Sequence, residues 1–383
     1  MRFGFVIGLF VLAAFEAANV YFIMPMPGSQ RMRSLELAYL LYSWRWLVRG
    51  LAVGLMVVTL PFAWRGGWFR RTGVVVGIAA VGALAFMFNF VMAADAMFKM
   101  PARLTMATPA ANKVALDRLV VGLELNGEAR AYPLQFIGYH HQVRDSVGGR
   151  AVLVTYCTVC RTGRIYDPVI AGSHERFRLV GMDHFNAMLE DLTTGSWWRQ
   201  ANGAAVVGPQ KGVAMVELAS RQVTLKQWFA MYPKSLVMQP DPAFTEQYAN
   251  DYAFERGTSR GRLTGTDPRS WHDKSWVIGL RIGRTARAYD WNQLLREGTI
   301  NDTLGGRPVL IAVAADSASF YAFTRPNAGI RYRIDGDSLR AGTAAFGLNG
   351  KGAATTLAPI VASQEFWHSW RTFNPGTTRF GAP

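Results

Sequence analysis

A chain of 383 residues with a formal charge of +15 and 50% hydrophobic residues has room for about two or three domains. Its surplus charge is mostly arginine, thinly spread and without a dense basic run interleaved with aromatics, which argues against nucleic acid as a partner. A bland surface excess of arginine is the better reading, with some attraction to anionic lipid headgroups beside it.

Residues 1–98 are predominantly apolar and are read as a membrane region. Three stretches, about 3–24, 46–64 and 73–94, are long enough to cross a bilayer as helices. The first has only Arg2 as a charged leader and no small-x-small cleavage site, so it reads as a retained helix rather than a signal peptide. Arg65, Arg70 and Arg71 crowd the link between the second and third spans and place that link in the cytoplasm. The N-terminus is then inside and everything after Asp95 outside, although Arg31, Arg33, Arg45 and Arg49 in or beside the first external loop run against the rule. Glu16 lies within the first span, where an acid either marks function or reaches an interface or an arginine.

The remainder reads as a β-rich α+β extracytoplasmic domain of two tandem homologous units, residues 115–238 and 274–380, joined by a Pro-, Gly- and Asp-rich connector at 239–273. An offset of 157 carries Val120–Leu153 onto Val277–Leu310 without a gap. Ala129-Arg130-Ala131-Tyr132 falls on Ala286-Arg287-Ala288-Tyr289, and Asp145, Gly148, Gly149 and Arg150 fall on Asp302, Gly305, Gly306 and Arg307. Toward the unit ends Leu218, Trp228 and Pro233 match Leu357, Trp370 and Pro375 only with small insertions. Within the first unit, strands are expected at 119–125 and 129–132 around Asn126-Gly127, then at 139–143, 151–156, 164–166, 177–180 and 204–207, with a helix at 224–232.

The only two cysteines form a C-x-x-C pair, Cys157-Thr158-Val159-Cys160, after the apolar run 151–154. Such a pair suits thiol chemistry or metal ligation. Gly163 and the renewed β pattern after it indicate a turn and strand, not the helix of a thioredoxin-like site; Arg161 and Arg164 bring positive charge. If Gly148-Gly149 is a two-residue hairpin turn, partners across it sum to 297, so His140 faces Cys157 and His141 faces Tyr156; a loop one residue longer puts His141 opposite Cys157. At the matching positions the second unit has Glu297, Gly298, Ala314 and Ser317, so the histidines and cysteines are absent together. His174 and His184 are further candidates for a Cys₂His₂ set, though the spacing matches no standard zinc pattern. Asp191–Gln200 reads as turn plus tryptophan core; its functional alternative is a pocket wall of Tyr156, Asp191, Trp197 and Gln200.

Val154-Thr155-Tyr156-Cys157-Thr158-Val159-Cys160, together with Asp145 to Gly149 and Asp191…Thr194-Gly195-Ser196-Trp197…Gln200…Gly203…Gly208, resembles the bacterial and archaeal family called domain of unknown function 3179. Its members commonly have Pro in place of Thr158 and His-Glu in place of His141-Gln142. The resemblance favours His141 over His140, and the selenocysteine found in the motif of some members implies redox reactivity.

Three functions follow as expectations. The first is a thiol-redox protein of the bacterial inner membrane, multi-pass, with the β-rich domain outside. Cys157 attacks, Cys160 resolves, His141 or His140 is base or thiolate partner, and Arg161 supports the charge. Its partners are the lipid bilayer and an unknown redox partner or small-molecule substrate. The second is a copper or zinc module built on Cys157, Cys160, His141 and His184. The third is a scaffold in which a short-range disulfide is incidental.

Overall fold

The computed structural model describes residues 2–32 and 34–381, Arg2 by its backbone alone; Arg33, one of the charges in the first external loop, lies outside the described residues. The chain divides into two compact units.

The first unit comprises Met1–Lys99, Phe177–Trp198 and Ala205–Gly212. Helices α1 (Arg2–Tyr21), α2 (Leu35–Trp64) and α3 (Trp68–Phe86) are long and apolar enough to cross a membrane, α3 with the π-turn Met87–Val91 that continues it. Gly4 and Gly8 let α1 approach α2 closely, since a Cβ at Gly8 would sit 2.6 Å from the Met56 side chain. Residues 177–198 and 205–212, assigned by sequence to the first β-rich unit, cluster instead with these helices. They form a four-stranded sheet in the order Ala205–Val207, Trp197–Arg199, Asn186–Asp191, Phe177–Asp183. Its Met188, Trp197 and Val207 share a core with Ala38, Tyr39 and Tyr42 of α2. The Met182 N–H donates to the Ile23 carbonyl at 2.7 Å.

The second unit holds Met100–Arg176, Arg199–Ala204 and Val213–Pro383. It contains one plan of elements twice. In the first body, the antiparallel strands Leu119–Leu125 and Glu128–Pro133 turn at Asn126-Gly127, both with positive φ as a type I′ turn requires. The helix Leu134–His140 follows, then the hairpin Gln142–Val147/Arg150–Cys157 and the strand Thr162–Asp167. In the second body the same succession is Trp276–Ile282, Thr285–Asp290, helix Trp291–Glu297, hairpin Thr299–Leu304/Arg307–Val313 and strand Phe320–Thr324. Each body ends in a strand, a short helix and a parallel strand: Arg221–Thr224, Leu225–Met231 and Leu236–Met238, against Ala362–Phe366, Trp367–Phe373 and Thr378–Arg379.

Particular side chains explain why the same residues recur. Arg130 and Tyr132 both donate to Asp145, as Arg287 and Tyr289 donate to Asp302. Gly122 lies beneath the Trp228 ring and Gly279 beneath Trp370. One hydrophobic core passes through both bodies, joining Val154, Ile165 and Val223 to Leu310, Ala312 and Phe323. The connector is ordered against them: Glu255 pairs with Arg118 and accepts the Leu119 N–H.

One expected strand is partly a helix. The pattern of residues 139–143 predicts an extended strand, but the helix runs to His140 and the strand begins at Gln142. Leu134 and Ile137, one helical turn apart, are both buried, and that spacing outweighs the β pattern. His141 caps the helix in the left-handed region at φ 60°, where the second body has Gly298 at φ 68°.

Candidate functional site

The hairpin register is the one a two-residue turn dictates: Gln142 pairs with Thr155 and Val147 with Arg150. The Arg150–Cys157 strand continues into a turn through Thr158, Val159 and Cys160, then returns as Thr162–Asp167 with Thr162 opposite Cys157. Arg161 takes φ 57° to make this reversal. No helix follows the C-x-x-C pair. Gln200 braces the two strands, its amide donating to Thr155 Oγ1 at 3.1 Å and to the Thr162 carbonyl at 3.0 Å.

Both cysteines are fully buried thiols, not joined in a disulfide. They hydrogen-bond each other, and the Ser369 hydroxyl contacts Cys160. Burial, then the bond to Cys157, pushes the Cys160 thiol well above its ordinary value. The Phe366 N–H donates to the Cys160 carbonyl at 3.0 Å, fixing the turn to the Ala362–Phe366 strand.

That strand and the helix after it bring further groups. Ser369 donates to Glu365 Oε2 at 2.6 Å; Arg164 and Ser363 donate to Glu365 Oε1 at 2.9 and 2.7 Å. Burial raises the Glu365 pKa, against the pull of Arg164. The largely buried Lys274 donates to the carbonyls of Val159 and Leu263 at 2.7 and 2.6 Å and lies within electrostatic reach of both sulfurs. Burial lowers its pKa. His368, held to the Val159 carbonyl, has its pKa lowered to about 4, by burial first and then by Lys274. Two buried hydroxyls beside the pair, Tyr156 Oη and Thr162 Oγ1, have no hydrogen-bond partner among the described residues. Lys274 also borders a basin of about 820 Å³ formed by the connector, whose wall includes Arg260, Arg262, Arg269 and His272.

The residues singled out by sequence fall in different places. His140 Nε2 lies 2.8 Å from the Tyr248 hydroxyl. His141 Nδ1 lies 3.0 Å from the Tyr139 carbonyl, while its own carbonyl accepts the Tyr156 N–H; burial lowers its pKa to about 4. The Arg161 guanidinium donates to the carbonyls of Phe254 and Glu255 and to Gln364, and stacks 3.7 Å over Trp276, so its charge ties the turn to the connector. His174 is exposed on a two-residue strand. In the first unit, His184 contacts Asp183 at 2.6 Å. There too Asp191 closes the turn, accepting from Thr194 and from Trp198 Nε1 at 2.8 Å, and Trp197 is core. Among the described residues no group of three or more His, Cys, Asp or Glu side chains is placed to hold a metal ion.

Sequence reasoning missed Lys274, Glu365, His368 and Ser369. One signal was present: Glu365 interrupts an otherwise uncharged run from Ala358 to Trp367.

No curated protein and no solved structure matches the chain. A family model does, over residues 101–377, which covers both β bodies and the cysteine turn, and on that match the chain belongs to the family described as protein of unknown function (DUF3179).

Proposed function

We propose that this is a membrane-anchored thiol–disulfide redox protein in which Cys157 is the attacking thiol and Cys160 the resolving one. The observation that carries it is the pair itself: two buried thiols hydrogen-bonded to each other, with the Ser369 hydroxyl on Cys160 and the Lys274 ammonium close to both. Cys157, as thiolate, attacks one sulfur of a substrate disulfide; a mixed disulfide forms, the substrate S–S bond breaks, and the departing thiolate takes a proton. Cys160 then gives up its proton and attacks Cys157 Sγ, closing the Cys157–Cys160 disulfide and releasing the second substrate thiol. Ser369 links Cys160 to Glu365, and Arg164 holds that carboxylate in place, a path by which the resolving thiol loses its proton. Tyr156 and Thr162 offer hydroxyls to a bound substrate. Because both sulfurs are buried, a small disulfide suits the site better than a folded protein.

In this reading the two bodies arose by tandem duplication. The first kept the thiols; the second, with Ala314 and Ser317 in their place, supplies the helix that serves them. The arginines between α2 and α3 favour the β-rich domain outside the cytoplasmic membrane.

The test is to equilibrate the full-length protein in redox buffers and to challenge Cys157→Ser and Cys160→Ser with a small disulfide. Cys160→Ser should trap a mixed disulfide on Cys157, whereas Cys157→Ser should trap none. A wild-type pair that never cycles where ordinary disulfides are reduced rules the proposal out.

A further inference from the structure

The first unit contains a cavity of about 940 Å³ between its three long helices and the Phe177–Asp183 strand, at the upper end of the range for small-molecule sites. Its wall is graded. Leu12, Val53 and Phe86 line one part, and Tyr42, Arg45 and Arg178 another.

Between them is a polar cluster that explains the acid in the first span. Glu16, 1% exposed, accepts from Arg49 Nε at 2.6 Å and Nη2 at 2.9 Å. Asn89 accepts from Arg49 Nη2 at 2.7 Å and donates to Glu16 at 2.8 Å. Asn89 is carried by the π-turn, a local rewinding that often accompanies a functional residue. The pair neutralises Glu16, and Arg49 Nη1 is left without an acceptor among the described residues.

Arg45, one turn before Arg49, stacks 3.6 Å over Tyr42 and donates to the Tyr42 carbonyl. It has no carboxylate partner among the described residues, whereas Arg178 is paired with Asp95 and Glu190. Counting Glu190, which pairs with Arg178, three carboxylates face the three arginines, and Arg45 is the one that none of them meets. A lining that passes from apolar helix to an unpaired guanidinium fits an amphiphile with a negative head. Beside helices of this length and apolarity, the occupant at hand is membrane lipid.

We infer that the cavity holds one anionic phospholipid. Its phosphate meets the Arg45 fork, an ester oxygen meets Arg49 Nη1, and an acyl chain lies along Leu12, Val53 and Phe86. A zwitterionic headgroup would bring an ammonium toward Arg45, whose charge no carboxylate meets among the described residues, so it binds less well.

The full-length protein is placed in nanodiscs of phosphatidylcholine doped with phosphatidylglycerol, moved to detergent, and the lipid retained per chain is counted by native mass spectrometry. One phosphatidylglycerol per chain is expected. Arg45→Gln should weaken retention about tenfold, and Arg65→Gln, which caps α2 outside the cavity, should leave it unchanged. If Arg45→Gln does not fold, Arg45→Lys decides, because it keeps the charge and loses the fork and must retain measurably less lipid. Equal retention of the two lipids, preferential retention of an uncharged lipid, or retention indifferent to Arg45 overturns the inference.

Discussion

Ser369 reaches Cys160 from the far end of the chain: its hydroxyl touches the Cys160 sulfur and donates to Glu365 Oε2 at 2.6 Å. A residue of the body that lacks cysteines is thereby placed to govern the second thiol of the body that has them.

Removing that hydroxyl should slow resolution without abolishing attack. Ser369→Ala and Glu365→Gln are expected to lengthen the life of the mixed disulfide about tenfold or more at neutral pH, and less at alkaline pH, where Cys160 ionises unaided. Stopped-flow reaction with a small disulfide, followed by acid quench and mass analysis, measures it. An unchanged pH profile in both variants would remove Ser369 and Glu365 from the chemistry.

Lys274 should matter to thiolate formation. Lys274→Met removes an ammonium within electrostatic reach of both sulfurs, so alkylation of the pair by iodoacetamide should move to higher pH and slow about tenfold at pH 7. Arginine at this position, if it folds, should restore part of the rate. A neutral variant that alkylates like wild type shows that the charge acts only through the Val159 and Leu263 carbonyls.

Acid should destabilise the second unit through its buried imidazoles. His141 and His368 are held neutral, with pKa values lowered from 6.5 to about 4 by burial. The unfolded chain binds more protons than the folded one between those limits, so their contribution is fully present above pH 6.5. It declines as the pH falls toward about 4, by a loss on the order of 3 kcal/mol per imidazole. Urea unfolding at pH 7 and pH 4.5, compared in His141→Gln and His368→Gln, checks this; each variant should flatten the slope.

The tryptophan-over-glycine contacts should be intolerant in both bodies. A Cβ at Gly122 would come 2.2 Å from the Trp228 ring, and one at Gly279 would come 2.1 Å from Trp370. Gly122→Ala and Gly279→Ala should each cost about 1–3 kcal/mol as the rigid ring is displaced, seen as lower urea midpoints. A loss confined to Gly122 would show that the two bodies do not use the contact alike.

Much of the β framework was legible because local rules produce it. Asn126-Gly127 and Gly148-Gly149 set their hairpins, and the constant offset of 157 anticipated a second Arg–Tyr–Asp cluster and a second Gly-Gly turn in the same topology. The three apolar helices were legible from hydropathy, with ends displaced by up to eleven residues, the second helix beginning at Leu35 rather than at 46. The helix Leu134–His140 was not, because its residues suit either structure and burial of Leu134 and Ile137 decided between them.

By itself, then, the sequence determined that two thiols share a tight turn, that the turn is not followed by a helix, and that β-rich structure surrounds it. Only the tertiary structure decided which side chains meet the thiols. Lys274, Glu365 and Ser369 come from the second body, where Trp367 and Trp370 pack with Val277 and Ala288, and Phe366 is hydrogen-bonded to Cys160 across more than two hundred residues of chain. Glu16 likewise finds Arg49 and Asn89 only when three helices pack. Hairpin turns and hydrophobic runs are written in neighbouring residues. The partners of a buried charge or thiol are chosen by the packing of distant segments, where desolvation penalises a group left without one.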